Sequence, residues 1–304
     1  MKILFVASVL AAACAGSGRP MLAEPQGTAE LLVHLDRNEF YEGEPIYAVL
    51  ELRNAGRDTV RVPPFDLAAD WLRGTLRRDS VEVPGGLGII VDYAFGLDYR
   101  GTSLPGGQSR FMDLPLQSYW GGMGPLDHSL YLRRLVPGTY VMRWTVLPLR
   151  RGRRAVTPLI ESRSVSFVIR RRTSAEDTVV DAFERLGPRL DILTWQAADF
   201  DSVLAWSAQR LAVDSADPFV PVLLASSLTK AGVSQRGADS LRIQRTRDLE
   251  LAIIEARPAL VSTAYLYAEM TMMSDSQQTR LADRLAPTLA GRMARARLDA
   301  QRRN

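Results

Sequence analysis

The chain has 304 residues, of which 46% are hydrophobic and 24% are charged, a composition typical of a globular protein with about two domains. Its 38 basic and 34 acidic residues give a formal charge of +4, and the arginines are scattered among acids. Nucleic-acid-binding proteins usually gather basic residues into one stripe, so this pattern argues against a nucleic-acid partner. After the N-terminus, no apolar run reaches the roughly 18 residues that a membrane-spanning helix needs.

The first residues have the three-part pattern of an export signal. Met1 and Lys2 give a positive start, Ile3–Ala13 is an apolar stretch of 11 residues, and small residues surround Cys14. Such a stretch is too short for a stable transmembrane helix. We therefore expect residues 1–15 to be a signal peptide and the mature protein to be extracytoplasmic.

Cys14 is the only cysteine of the chain, and the stretch Leu10–Cys14 places small residues before it. This stretch resembles a bacterial lipoprotein signal, in which the cysteine becomes the acylated first residue of the mature protein. The resemblance implies a lipid anchor at Cys14. The alternative is ordinary cleavage after Ala13 or Ala15, which would give a periplasmic or secreted protein. No internal disulfide is possible in either case.

Residues 16–27 are rich in turn formers and have almost no apolar periodicity, so they are expected to form a flexible tether. Residues 28–172 are predicted to be rich in β-strands. Four runs alternate between two side-chain faces, which indicates strands with one face on a core, and proline-glycine turns separate them. The alternating residues are Leu31, Val33 and Leu35; Ile46, Ala48, Leu50 and Leu52; Tyr140, Met142, Trp144 and Val146; Val165, Phe167 and Ile169.

Two local patterns resemble the bacterial immunoglobulin-like domains of envelope proteins. Tyr41–Ile46 contains a Gly-Glu-Pro start to a strand that closes on Asn54–Gly56, and Leu135–Tyr140 is similar to the turn before a late strand whose tyrosine bonds to nearby backbone. The resemblance implies an immunoglobulin-like β-sandwich over residues 28–172. The middle stretch Asp66–Gly124 departs from a compact sandwich and is expected to hold insertions.

Residues 173–304 are predicted to be helical. A capping-box-like start at Ser174 and Asp177 precedes apolar residues at helical spacing, and Gly187-Pro188 ends them. Further helices are predicted at residues 200–213, 218–230, 240–256, 258–273 and 276–298. Asp217-Pro218 and Arg257-Pro258 stand 40 residues apart. This half is therefore expected to be either a helical bundle or a short array of helical hairpins.

The sequence predicts no metal or cofactor. Zinc sites use His and Cys, yet the only histidines are His34 and His128, and we expect both to be ordinary surface residues. Asp92 and Asp98 have the side chains of a calcium site or a catalytic carboxylate pair, but no Asp-rich loop surrounds them. They are interpreted as solvated loop acids.

Ser227 and Lys230 match the Ser-x-x-Lys pattern of penicillin-recognising serine enzymes, where the lysine helps to deprotonate the serine. The companion Ser-Asp-Asn and Lys-Thr-Gly motifs are absent from the sequence. A serine hydrolase that uses Ser227 and Lys230 is kept as an alternative.

Five aromatic residues offer another kind of site. Flat rings with polar neighbours bind the C–H faces of sugars, although aromatic residues also fill sandwich cores. The platform would consist of Trp71, Tyr93, Tyr99, Tyr119 and Trp120. A carbohydrate-binding module would expose these rings, whereas core packing would bury them.

Taken together, the sequence favours a non-catalytic extracytoplasmic interaction protein, with an immunoglobulin-like domain followed by a helical domain. It is held at a membrane if Cys14 is acylated. The expected partner is an envelope protein or a glycan, and no enzymatic activity is predicted. The first alternative is a carbohydrate-binding module of the cell envelope, and the second is the Ser227 and Lys230 hydrolase.

Overall fold

A computed structural model describes residues 29–63, 65, 71–85, 101–120, 135–151, 154–186, 197–224, 240–269 and 275–301. Strands occupy the N-terminal part of this range and helices follow, which confirms the predicted order of β then α. The predicted signal, the tether and Cys14 lie outside the described residues. In the part of the chain that the structure describes, no helix is both long and apolar enough to cross a membrane.

The strands are β1 Ala29–His34, β2 Glu39–Tyr41, β3 Tyr47–Asn54, β4 Val60–Val62, β5 Leu72–Arg78, β6 Val81–Glu82, β7 Thr102–Leu104, β8 Ser109–Pro115, β9 Gly138–Val146, β10 Arg150–Arg151, β11 Arg154–Ala155, β12 Ile160–Glu161 and β13 Val165–Arg170. The helices are α1 Leu116–Trp120, α2 Ser174–Leu186, α3 Ala197–Val213, α4 Ser240–Ala256, α5 Val261–Glu269, α6 Asp275–Leu285 and α7 Leu289–Gln301. Residues 219–224 are also helical.

Two sheets make up most of the β-rich part. The first has three antiparallel strands in the order β1-β3-β8. The second follows the order β2-β13-β9-β5-β6, with β12 added beside β9 and a parallel pair between β2 and β13. Both β5 and β8 come from the stretch Asp66–Gly124, so part of that stretch pairs with central strands.

The two sheets share one hydrophobic core. Leu50 and Leu52 of the first sheet and Tyr140 and Trp144 of the second have at most 1% of their surface exposed. Tyr140 also stacks on Phe167 with 5.2 Å between the ring centres. Burial of each such side chain contributes roughly 1.5–3 kcal/mol, so this layer is the main source of stability of the β-rich part.

The helices cover the other face of the first sheet. Tyr47 and Val49 of β3 belong to the same buried cluster as Phe219 and Leu266 of the helical part. Both faces of β3 are therefore buried, and the expectation that only one face packs on a core is wrong for this strand. The reason is long-range, because α5 and α7 pack on β3 and β8.

Helix boundaries depend on local chemistry. The helices predicted at Ser174–Leu186 and Ser240–Ala256 are confirmed. The single helix predicted at 276–298 is wrong, because α6 ends at Leu285 and α7 begins at Leu289. Pro287 lacks an amide hydrogen and cannot continue a helix interior. Thr288 then caps α7, since its Oγ1 accepts the amide hydrogen of Gly291 at 3.2 Å.

The tyrosine near the start of β9 gives a direct stability test. The Tyr140 hydroxyl donates to the carbonyl oxygen of Val136 at 2.6 Å. We expect Tyr140→Phe to lower the free energy of unfolding by about 1 kcal/mol, because the carbonyl loses a buried partner. Urea unfolding measures the change. Tyr41→Phe is the control, since no described hydrogen bond uses the Tyr41 hydroxyl; equal losses in both variants would contradict the assignment.

Candidate functional site

A buried carboxylate lies at the junction between the first sheet and the helices. Glu51, in the centre of β3, has a side chain with no exposed surface. Side chains alternate along strands, so the neighbouring strands place His34 and Ser109 on the same face as Glu51. His34 Nε2 lies 2.9 Å from Glu51 Oε2, and the Ser109 hydroxyl donates to Oε1 at 2.7 Å.

The fourth member of this site comes from α7. Arg292 donates through one guanidinium nitrogen to both Glu51 oxygens, at 2.6 and 2.7 Å, across 241 residues of sequence. The same guanidinium lies 5.7 Å from the centre of the Phe111 ring, within the range of a cation–π contact. We call Glu51, His34, Ser109 and Arg292 the seam cluster, because it joins sheet to helix.

The hydrogen bonds of the seam cluster determine the charge of Glu51. Burial alone would raise the pKa of Glu51, because it removes the carboxylate from water. The hydrogen bonds from His34, Ser109 and Arg292 outweigh burial and lower that pKa to about 2. Glu51 is therefore ionised at neutral pH, and its charge is neutralised by Arg292.

This arrangement differs from the machinery of a serine hydrolase. In a catalytic triad, a histidine lies between the serine and the acid and takes the serine proton. Here Glu51 lies between Ser109 and His34. Glu51, with a pKa of about 2, is also a poor proton acceptor at neutral pH. The geometry of the seam cluster therefore suits a structural connection better than activation of Ser109.

A small cleft of about 190 Å³ opens beside the seam cluster, between the β8 end and α7. Its charged wall consists of Arg292, Arg295 and Asp299, and Ser109 and Phe111 lie opposite. Arg292 already binds Glu51, and Arg295 forms an ion pair with Asp283. Both cations of the wall are thus engaged within the protein.

A second connection joins β3 to the helical part. The Tyr47 hydroxyl donates to the carbonyl of Pro218 at 2.6 Å and accepts the amide hydrogen of Val222 at 3.1 Å. Burial raises the pKa of Tyr47 well above its ordinary value, so the hydroxyl keeps its proton and its role as donor. The Tyr47 ring also lies 4.8 Å from that of Tyr265.

The loop after β1 supplies a third connection. The carboxylate of Asp36 accepts the amide hydrogens of Val261 and Ser262, at the first turn of α5. These amides have no partner within their own helix, and a negative charge also complements the helix dipole there. A residue of the β-rich part thus caps a helix that lies 225 residues later in the sequence.

A different buried acid has no hydrogen-bond partner within the described structure. Both carboxylate oxygens of Glu250, in α4, are buried and lack a hydrogen-bond partner. Burial raises the pKa of Glu250 to about 8, and the nearby Arg247 opposes this only in part. At neutral pH this side chain is therefore mainly neutral in the folded protein.

Two rings of the predicted sugar platform lie in the core. Tyr119 and Trp120 have 8% and 4% of their surface exposed, and their ring centres lie 4.8 and 5.3 Å from that of Trp144. Gly74 accommodates Trp120, because a Cβ at this glycine would lie 2.7 Å from the ring. The placement of both rings matches the core-packing interpretation, and the faces of these rings are closed to a sugar.

The other predicted site residues are dispersed. Trp71 is half-buried next to β5, and its carbonyl accepts the amide hydrogen of Leu147 at 2.7 Å. His34 belongs to the seam cluster and is not the ordinary surface residue that the sequence predicted. The remaining candidates lie outside the described residues: Cys14, Asp92, Tyr93, Asp98, Tyr99, His128, Ser227 and Lys230.

Among the residues that the structure describes, no group of three or more His, Cys, Asp or Glu side chains has the geometry to hold a metal ion. The seam cluster contributes only one acid and one histidine, and its arginine occupies the position where a cation would bind. Comparison with known proteins found no protein family and no curated protein that matches the sequence.

The seam cluster predicts a specific acid sensitivity. Because the pKa of Glu51 falls from 4.5 in the unfolded chain to about 2 in the folded protein, its contribution is present above pH 4.5 and is lost as the pH falls toward 2. This contribution is about 3 kcal/mol. We expect Glu51→Gln to lower the free energy of unfolding at pH 7. The variant should also lose less of this free energy as the pH falls from 4.5 to 2, as measured by denaturant unfolding between pH 7 and 2. Glu30→Gln, at a half-exposed acid of β1 that lies 3.7 Å from Arg53, should change both far less, because an ion pair at such an exposed position contributes little. An unchanged loss of stability in acid for Glu51→Gln would contradict the assignment.

Glu250 predicts the opposite slope at higher pH. The unfolded chain ionises Glu250 above its ordinary pKa of 4.5, whereas the folded protein keeps it protonated up to about 8. The contribution of Glu250 to the free energy of unfolding is therefore full below pH 4.5 and falls as the pH rises to 8, by on the order of 5 kcal/mol. We expect Glu250→Gln to remove this fall in unfolding measured from pH 5 to 9. Glu255→Gln, at a less buried acid of the same helix, should keep it; a slope retained in Glu250→Gln would refute the interpretation.

Proposed function

We propose that the protein is a non-catalytic interaction protein of the bacterial envelope, anchored through a lipid on Cys14. The observation that carries the proposal is the state of the seam cluster. A serine, a histidine and an acid meet there, yet Arg292 neutralises the acid and the three groups connect sheet to helix. The polar side chains of the junction thus hold the sheet and the helices together, and the outer surfaces of the protein are left to contact a partner.

An immunoglobulin-like sandwich is the form that we propose for the β-rich part. In such domains the first, second, fourth and fifth strands share one sheet, and the third, sixth and seventh share the other. The orders β1-β3-β8 and β13-β9-β5 fit that division if β3 is the second strand and β5 the third. The hydrogen bond from Tyr140 to the backbone of Val136 resembles the tyrosine corner of these domains.

The envelope location rests on the sequence alone. The stretch Leu10–Cys14 resembles a lipoprotein signal, and no other cysteine is present in the chain. Residues 15–28 would then separate the anchor from the start of β1, which allows a reach of up to about 48 Å if they are extended. The folded body would stand close to the membrane and face the envelope around it.

A carbohydrate-binding module built on the aromatic residues has less support. It needs an exposed row of rings, and two of its five residues, Tyr119 and Trp120, are packed against Trp144. We therefore do not place a sugar site on the aromatic residues.

The anchor is tested by expressing the chain and its Cys14→Ser variant in a bacterium that processes lipoproteins. We expect the unaltered chain to partition into the detergent phase and to begin at a Cys14 that carries acyl chains in the mass spectrum. The variant should remain in the aqueous phase, because it lacks the acceptor thiol. A mature chain that begins at unmodified Gly16 would refute the anchor.

A further inference from the structure

The outward face of the second sheet carries three arginines in its central strands. Arg73 and Arg77 of β5 are exposed on either side of Thr75, and Arg143 of β9 is exposed and lies opposite Thr75 in the register. Both strands are described in full, and none of their outward-facing residues is acidic. We call Arg73, Arg77 and Arg143 the arginine triangle.

The spacing of the arginine triangle suits a ligand with several negative charges. At about 3.3 Å per residue, the Cα atoms of Arg73 and Arg77 lie about 13 Å apart, and Arg143 lies between them on the adjacent strand. Within the described structure, neither Arg73 nor Arg77 forms an ion pair. Arg143 donates to the hydroxyl of Ser164 at 3.2 Å, which leaves further donors free. Each guanidinium has the planar donors that bind carboxylate or sulfate in pairs.

Acids on the flanking strands restrict the shape of that ligand. Glu82 of β6 lies opposite Arg77, and Glu161 of β12 lies beside β9. Glu39, on the far strand β2, is 3.5 Å from Arg170. A broad anionic surface such as a bilayer would meet these carboxylates and be repelled. A narrow anionic chain that follows β5 and β9 would meet fewer of these carboxylates, and Glu82 beside Arg77 is the one that it would approach most closely.

The surroundings of the arginine triangle are mainly hydroxyl groups. Thr75, Thr139 and Ser166 are exposed on this face, whereas Val141 and Val168 are each 40% exposed. The centre of a protein interface is usually apolar and rich in aromatic residues. The central strands β5, β9 and β13 expose two valines on this face and no aromatic residue. Threonine and serine hydroxyls instead both donate and accept, as sugar hydroxyls do.

We propose that the arginine triangle binds an anionic polysaccharide. Its carboxylate or sulfate groups pair with the guanidinium groups. Its hydroxyls bond to Thr75 between the arginines and to Thr139 and Ser166 beside them. This inference rests on the proposed interaction role and names the chemical class of the partner. The proposed glycan site lies on the face of the second sheet opposite to the buried Tyr119 and Trp120.

The test uses the full-length chain with Cys14→Ser, so that binding does not depend on the lipid anchor. The probe is polygalacturonate, and neutral dextran and vesicles that contain phosphatidylglycerol are run in parallel. We expect binding to polygalacturonate that weakens as salt is added, and no binding to dextran. The combined variant R73Q/R77Q/R143Q should lose about tenfold or more in affinity, because three charge-assisted contacts disappear.

The matched control is R185Q/R245Q/R280Q, which removes the same charge from exposed arginines of the helical part and should retain the affinity. Equal losses in both triple variants would mean that only net charge matters and would overturn the proposal. Absence of polygalacturonate binding, or tighter binding to the vesicles, would also overturn it. None of these three results would affect the proposed anchor, which the processing of Cys14 tests separately.

Discussion

The central constraint in this protein is a carboxylate that has been removed from water in the middle of a sheet. A buried charge is strongly unfavourable unless it is paired and hydrogen-bonded, and loss of one partner typically costs 3–5 kcal/mol. Glu51 has no exposed surface, and the cation that neutralises it comes from α7. The first sheet therefore depends on α7 for the charge that neutralises Glu51. The break in helical structure at Pro287 allows α7 to form as a helix separate from α6.

The other contacts of the junction support the same arrangement. Asp36 caps α5 from the loop after β1, and Tyr47 bonds to the backbone at Pro218 and Val222. Tyr47 and Val49 also pack within the apolar cluster of the helical part. The secondary structure changes from strand to helix near residue 172, but the packing continues across that point. In this account, sheets and helices form one cooperative unit whose outer faces, including the arginine triangle, have a fixed relative position.

Local patterns predicted the secondary structure well and the junction poorly. Alternation and caps are properties of neighbouring residues, so β9, β13 and the helix at Ser174–Leu186 followed from them. The seam cluster joins residues up to 258 positions apart, from His34 to Arg292. The periodicity of helices and strands involves only residues close in sequence and cannot predict such a contact. The usable signal was an acid in the middle of the apolar strand Tyr47–Asn54. Residue type alone likewise does not separate exposed rings from the buried Tyr119 and Trp120.

The most direct measurement follows the unfolding of sheets and helices separately in one sample. A variant with Trp195 and Trp206 changed to phenylalanine leaves Trp71, Trp120 and Trp144 as fluorescent reporters of the β-rich part, while circular dichroism at about 222 nm reports the helices. If the junction makes one cooperative unit, both signals change at the same guanidinium chloride concentration. Loss of the helical signal at a lower concentration, with the tryptophan emission still native, would contradict the account.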